Sequence, residues 1–262
     1  MSTETQHPEE HPEELLRLAS ADNFRDVAGP GPGYPTRDGA RVRRGVYFRA
    51  NELRLTDEDA GSLAGLGVTH VLDLRSGPEI ELHPDVPVPG AHWSHVDVLG
   101  IPLNEMADLP DAEAGVAMME RVYRGFVTDD ATRAAFAEVL THLAGDGVHL
   151  FHCSAGKDRT GWTAALLLHL AGVPREVVEA DYLLTNDYAR ASRTRILTMI
   201  EEGAGPAKRA AYEPVFAADL DYLRTSLACV EQEYGDLDTY LRSGLGLGAD
   251  VLDELRGRLR VG

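Results

Sequence analysis

Lysine and cysteine are nearly missing from this chain. Lysine occurs only at Lys157 and Lys208, so the other 23 basic residues are arginine, and cysteine occurs only at Cys153 and Cys229. Two distant cysteines make neither a disulfide framework nor a zinc site, since both need more ligands at closer spacing. A reducing compartment suits them. Positive charge is short as well: the net charge of -18 excludes a general binder of nucleic acid or of an acidic membrane, because those partners select basic surfaces. An anionic substrate must then meet a local positive site. Long apolar runs are also lacking, and the opening MSTETQHPEEHPEE is neither a secretory signal nor an anchor. These absences point to a cytoplasmic chain without stable membrane insertion, with residues 1 to 20 as a disordered acidic tail. Export without a signal peptide and the oligomeric state stay open.

Length and composition are those of one globular domain, from residue 21 to 262. Asp38-Gly39 signals a hairpin ahead of a strand at 46 to 50, and Thr56-Asp57-Glu58-Asp59 opens a helix reaching about Leu66. The run 68 to 74 reads as the next strand. Met119, Val122, Tyr123 and Phe126, then Phe136, Val139, Leu140 and Leu143, recur at helical spacing and mark two core-facing helices. The run 148 to 151 reads as a buried strand, and the stretch from Thr160 to Leu170 as a buried helix closed by Gly172. Helices and strands in this order predict an α/β domain with a central, mainly parallel sheet flanked by helices. Residues 191 to 234 hold two amphipathic patterns separated by EEGAGPAKRA and are either a helical lid or more core. The segments DLDTYLRSG and ADVLDELRGRL predict final helices packed on the sheet.

Between the buried strand and the buried helix stands HCSAGKDRTG, residues 152 to 161, where a parallel sheet places its ligands. It holds one of the two cysteines and one of the two lysines. A thiolate is a strong nucleophile, but a free cysteine titrates near ~8.5 and needs positive surroundings to ionise. Backbone N–H groups between Cys153 and Arg159, the positive end of the following helix, and His152 and Arg159 supply them. The same groups would hold a phosphate dianion, with Ser154, Ala155, Gly156 and Lys157 as the cradle and Arg159 as a two-pronged clamp. Gly156 suits the tight bend. Thr160 could cap the helix and hydrogen-bond the departing thiolate.

The pattern His-Cys-x-x-Gly-x-x-Arg-Thr resembles that of the Cys-dependent tyrosine phosphatase superfamily. The blocks NFRD at 23 to 26, YFRANEL at 47 to 53, DLRSGPE at 73 to 79, DYLLTN at 181 to 186 and YLRSGLGL at 240 to 247 extend the resemblance to the bacterial atypical tyrosine/serine phosphatases. It implies hydrolysis of phosphoric monoesters through a cysteinyl-phosphate, without metal or organic cofactor, on phosphoprotein or phosphoinositide substrates. It also implies that Asp158 protonates the leaving oxygen and that Lys157 goes with highly charged substrates. No Trp-Pro-Asp triplet is present, so Asp97 and then Asp85, in His83-Pro84-Asp85, follow Asp158 as candidate acids; Asp97 is also a candidate substrate contact.

Other readings compete with this one. A sulfurtransferase can use a cysteine in an anion-cradling loop, and a phosphate-binding pseudophosphatase would keep the cradle without turnover. GKD at 156 to 158 lacks the first glycine and the hydroxyl of a nucleotide-binding P-loop. Asp236-Leu237-Asp238-Thr239 lacks the apolar strand of an aspartyl-phosphate motif. His92-x-x-His95 and His149-x-x-His152 have metal-like spacing, but residues three apart on a strand face opposite ways, so no metal is expected. Cys229, in an amphipathic helix, reads as inert.

Overall fold

The computed structural model describes residues 17–101, 106–107 and 109–261. The tail expected over residues 1 to 20 lies mostly outside them, but its end is packed rather than free. Leu18 is buried, and Ser20 donates its backbone N–H to Asp59 at 2.8 Å.

Five strands form the central sheet, in the order β1 (Arg25–Asp26), β3 (Tyr47–Ala50), β6 (His149–His152), β4 (His70–Asp73) and β5 (His92–His95). Only β1 runs antiparallel to its neighbour. A smaller antiparallel pair joins β2 (Arg41–Val42) to β7 (Arg260–Val261) near the C-terminus. Strand β6 is buried at every position, which is why its sequence shows no alternation. Register places Phe48, Leu150 and Val71 side by side on one face, where they pack with Leu63, while Tyr47, Phe151 and Leu72 enter the larger core on the other. Because Ala50, His152 and Asp73 are also aligned, the chain leaving β6 emerges between the ends of β3 and β4. That crevice is the switch point of an open α/β sheet.

Helix α1 (Asp57–Gly65) begins where the Thr56 side chain accepts from the Asp59 N–H, and α2 (Gly77–Leu82) begins at a Ser76–Glu79 capping box. The apolar stripes form α3 (Ala112–Thr128) and α4 (Asp130–Leu143). Helix α5 (Asp158–Ala171) is buried at every residue except His169 and stops at Gly172, whose φ of 86° needs no Cβ. It starts two residues earlier than expected. Lys157 takes the N-cap position and no side chain caps the helix, so Thr160 does not have the capping role read from the sequence.

The segment 191 to 234 contains three helices where two were expected: α7 (Arg190–Ala204), α8 (Pro206–Phe216) and α9 (Leu220–Tyr234), after α6 (Arg175–Leu183). Gly205, with φ 87°, breaks the chain, and Pro206 restarts it at a position whose N–H would have no helical partner. Helices α8 and α9 pack on α3, and α9 buries Tyr222, Leu223, Ser226, Leu227, Cys229 and Val230. Helix α7 buries Leu197 alone and leaves Met199 63% exposed. DLDTYLRSG is a short helical turn, Leu237–Thr239, running into a π-turn at Tyr240–Gly244, and α10 (Ala249–Leu259) packs chiefly on α5 rather than on the sheet. Among the described residues no helix is long and apolar enough to cross a membrane.

Local stability should follow this difference in burial. Amide hydrogens of α7 are expected to exchange well before those of α9 in a native-state hydrogen-exchange time course. Equal protection of the two would mean that α7 is held as firmly as the core.

Candidate active site

The loop after β6 turns through Gly156, whose φ is 66° and whose missing Cβ would lie 2.4 Å from the Ala50 carbonyl oxygen. No other residue type fits there. Behind the loop, the Asn23 side-chain amide donates to the carbonyls of Ala155 and Gly156 at 2.9 and 3.0 Å, and Arg49 Nη2 donates to Gly156 at 2.9 Å. A trans peptide sets its N–H opposite its carbonyl, so pinning these two oxygens behind the loop turns the N–H groups of Gly156 and Lys157 to the front. Among the described residues, the backbone N–H groups of Ser154, Ala155, Gly156 and Lys157 donate to no protein acceptor. Unpaired donors at the start of a helix make an anion cradle.

The support has its own support. Arg49 Nη1 lies 3.2 Å from Asp181, Arg25 reaches the Asn23 side chain at 2.6 Å, and the Tyr34 hydroxyl donates to Asp181 at 3.1 Å. Burial and the neighbouring Arg25 charge pull Arg49 down to about 10, while Asp181 and the Cys153 sulfur favour its charged form. It therefore stays cationic at neutral pH beneath the cysteine.

Cys153 is buried at the head of the loop, and Arg159 lies in the first turn of α5. Glu79 grips Arg159 with both carboxylate oxygens, 2.8 Å to Nη1 and 2.8 Å to Nη2, and also accepts from the Ser154 hydroxyl at 2.5 Å. Nη1 donates further to the carbonyls of Leu74 and Val98. No hydrogen bond among the described residues uses the Arg159 Nε–H, which leaves that edge of the guanidinium for an incoming anion. A Cβ on Gly100 would come within 2.9 Å of Arg159 Cζ, so bare backbone covers the guanidinium there. Burial alone would raise the Glu79 carboxyl, but Arg159 and Ser154 hold it far below the usual range.

Beneath Cys153, His152 Nδ1 bonds to the Cys153 carbonyl at 3.3 Å, and its Nε2 lies 2.9 Å from Asp85. Asp85 also faces Arg75 at 2.8 Å and accepts from the Leu53 N–H at 3.0 Å. Asp85 is therefore part of the loop's foundation, which corrects its place among the candidate acids. Asp73, Asp85 and His152 are close enough to resemble a metal ligand set, but the Arg75 guanidinium lies 2.7 Å from Asp73 and already supplies the cation.

Asp158 is buried beside the cradle, with Oδ1 accepting from the Tyr123 hydroxyl at 2.8 Å and 2.7 Å from Lys157 Nζ. Lys157 is only 3% exposed, and its ammonium stands over the Tyr222 ring, 5.6 Å from the centroid. It is turned toward Asp158 and not out of the loop as a free second cation. Ala155 is exposed, and the Thr160 hydroxyl is buried with no hydrogen-bond partner among the described residues. Asp97 is exposed just past β5, one residue before Val98, at the rim. Nothing local in the sequence gives Asn23, Arg49, Glu79, Asp181 or Tyr123 a place in the site. The first four lie in the blocks NFRD, YFRANEL, DLRSGPE and DYLLTN, whereas Tyr123 stands on an apolar helical stripe that marks it only as core.

The depressed carboxyls make a pH prediction. Unfolded carboxyls titrate near ~4, whereas Glu79 is held far lower by Arg159, and burial of Asp85 is outweighed by His152 and Arg75, which bring it to about 2. Their stabilisation is complete above the unfolded value and is lost as pH falls through the folded ones. The difference in urea midpoint between wild type and Glu79→Gln should therefore narrow between about pH 5 and about pH 2. A constant difference would mean that the Glu79 charge contributes nothing.

A family model described as the tyrosine phosphatase family matches residues 16–261. The triple specificity protein phosphatase PtpB of Mycobacterium tuberculosis is 31% identical over 94% of this chain and 99% of its own length. A relative from Cupriavidus necator is 32% identical over 94% of this chain and 89% of its own, and a tyrosine-protein phosphatase of Nostoc commune is 29% identical over 95% and 90%. The match spans both the cradle and the elements that pin it from behind: the chain belongs to the tyrosine phosphatase family.

Proposed function

We propose that this protein hydrolyses phosphotyrosine and related phosphoric monoesters through a cysteinyl-phosphate on Cys153. The observation that carries the reading is the loop's set of undonated N–H groups, placed between a buried cysteine and a guanidinium with a free edge. Phosphate oxygens take the N–H groups of Ser154 to Lys157 and the Arg159 edge, which fixes phosphorus in line with Sγ. The thiolate attacks, the S–P bond forms as the ester P–O bond breaks, and Asp158 gives its proton to the leaving oxygen. Water then attacks phosphorus, losing its proton to Asp158. The S–P bond breaks, inorganic phosphate leaves, and the thiolate is restored. The Thr160 hydroxyl, buried and without a hydrogen-bond partner among the described residues, supports a role as donor to that thiolate.

Cys153→Ser is expected to abolish turnover and retain vanadate binding, and Arg159→Ala to weaken both by about a hundredfold or more. A Cys153→Ser enzyme of normal activity would remove the mechanism. A sulfurtransferase would instead cyanolyse thiosulfate.

The substrate class extends past phosphotyrosine to phosphoserine or phosphothreonine and phosphoinositides, and Lys157 supports the last. Its ammonium is held by Asp158, but four bonds of flexible stem allow it to turn to a second phosphate. Lys157→Ala should lose several times more activity on a phosphoinositide than on an aryl phosphate. Equal losses would confine Lys157 to holding Asp158.

A further inference from the structure

Two buried tyrosines behind the acid have no place in the mechanism so far. Tyr123, in α3, donates its hydroxyl hydrogen to Asp158 Oδ1, and its oxygen stands 2.7 Å from the hydroxyl of Tyr182, in α6. With the Tyr123 hydrogen given to the carboxylate, Tyr182 is the donor of the second bond. Both rings are almost completely buried, Tyr123 at 0% and Tyr182 at 1% exposure. Burial, with the Asp158 charge added, keeps both hydroxyls well above their usual range, so they stay protonated donors at neutral pH.

The arrangement is built by four helices, α3, α5, α6 and α9. Ser226, in α9, donates to the Tyr123 carbonyl at 2.6 Å, and the Tyr222 ring packs on Tyr123 with centroids 5.8 Å apart. Gly161, the last residue of HCSAGKDRTG, admits the Tyr182 ring against α5: a Cβ there would sit 3.2 Å from two ring carbons. The carboxyl of Asp158 is therefore gripped at one oxygen. Oδ1 accepts from Tyr123 and is the oxygen nearest the Lys157 ammonium, whereas among the described residues no hydrogen bond reaches Oδ2.

Resting on the reading of Asp158 as the leaving-group acid, we infer that Tyr123, braced by Tyr182, is the positioning residue of that acid: it fixes Oδ1 so that Oδ2 carries and delivers the proton. When the P–O bond breaks, the Oδ2 proton passes to the ester oxygen and the carboxylate keeps the electron pair. The negative charge appears on a group whose other oxygen already faces a hydroxyl donor and an ammonium. In the second step Oδ2 recovers a proton from the attacking water. Tyr123 neither touches the phosphate nor exchanges its own proton; a hydroxyl gripping Oδ1 lowers the freedom of the carboxyl to turn away, and a hydrogen bond to the product carboxylate is stronger than one to the acid.

The test is a series of aryl phosphates of graded leaving-group pKa, assayed with wild type, Tyr123→Phe, Tyr182→Phe, Asp158→Asn and the Tyr123→Phe/Asp158→Asn double variant. Tyr123→Phe should lower kcat by about tenfold on phenyl phosphate and by less than about twofold on a nitro-activated ester, with KM nearly unchanged. Tyr182→Phe should show the same trend at smaller size, and it keeps the idea testable if Tyr123→Phe does not fold. On the Asp158→Asn background, Tyr123→Phe should add almost nothing, because it acts through the carboxyl. If Asp158→Asn itself loses activity evenly across the series, the acid reading falls and this one with it. If Asp158→Asn shows the leaving-group dependence while both tyrosine variants lose evenly, or Tyr123→Phe adds its full loss to Asp158→Asn, the positioning role alone is overturned.

Discussion

The Gly156 carbonyl accepts two hydrogen bonds, one from Asn23 and one from Arg49, and the site follows from that shared acceptor. An anion cradle needs several backbone N–H groups left unpaired in a buried place, a condition proteins otherwise avoid because each orphaned donor costs about 1–3 kcal/mol. An unfastened loop would relieve the cost by flipping a peptide. Carbonyls fastened from behind prevent this, since a peptide plane cannot turn its N–H away from the front without withdrawing its oxygen from Asn23 or Arg49. At Gly156 the backbone both takes a positive φ and lies against Ala50, so the fastening and the turn are the same constraint seen from two sides.

Charge is organised by the same logic. In a chain of net charge -18, a site for dianions is made from cations that each have a carboxylate at the back: Arg49 against Asp181, Arg159 against Glu79, Arg75 against Asp73 and Asp85. The partners hold the guanidinium groups still, and at Arg159 the Nε edge stays open, so that little reorganisation is required when phosphate arrives. Glu79 illustrates the geometry. It grips Arg159 through two parallel hydrogen bonds, the pattern a phosphate would use on the remaining edge, and the same carboxylate caps α2 through the Ser76 N–H at 2.9 Å. The start of a six-residue helix is thereby tied to the clamp.

What the sequence reveals here is whatever is local. Thr56 before an acidic turn, Gly172 after an apolar run and the Cys153–Arg159 spacing each act within a few residues, and each reappears in the structure with small shifts of boundary. The remainder depends on which segments meet in space. Asp85 looked like a candidate acid because His83-Pro84-Asp85 was judged alone; packing sets it against His152 and Arg75, which are distant or differently oriented in the chain. Tyr123 sits on an apolar helical stripe, where an aromatic residue reads as core, and it is core; its hydroxyl acquires a second role only because α3 passes over the start of α5. The extra helix in 190 to 216 was hidden for another reason. A glycine and a proline in sequence signal a break, but not whether the chain resumes as helix on both sides.

The scarcity of lysine acquires a meaning at Lys157. This chain uses arginine almost everywhere, yet the space beside Asp158 offers a cation one carboxylate oxygen at 2.7 Å and the face of Tyr222, inside an almost fully buried pocket. An ammonium is compact and can meet that pair at a single point. A guanidinium carries five N–H donors in a flat fork, and most of them would be left without acceptors there. The wider fork would also compete with Tyr123 for Oδ1 and could reach around to Oδ2. A lysine meets Asp158 chiefly at one oxygen and, on the proposed reading of Asp158 as the acid, leaves the other to the proton, so the residue type suits a carboxyl whose two oxygens are to be kept different.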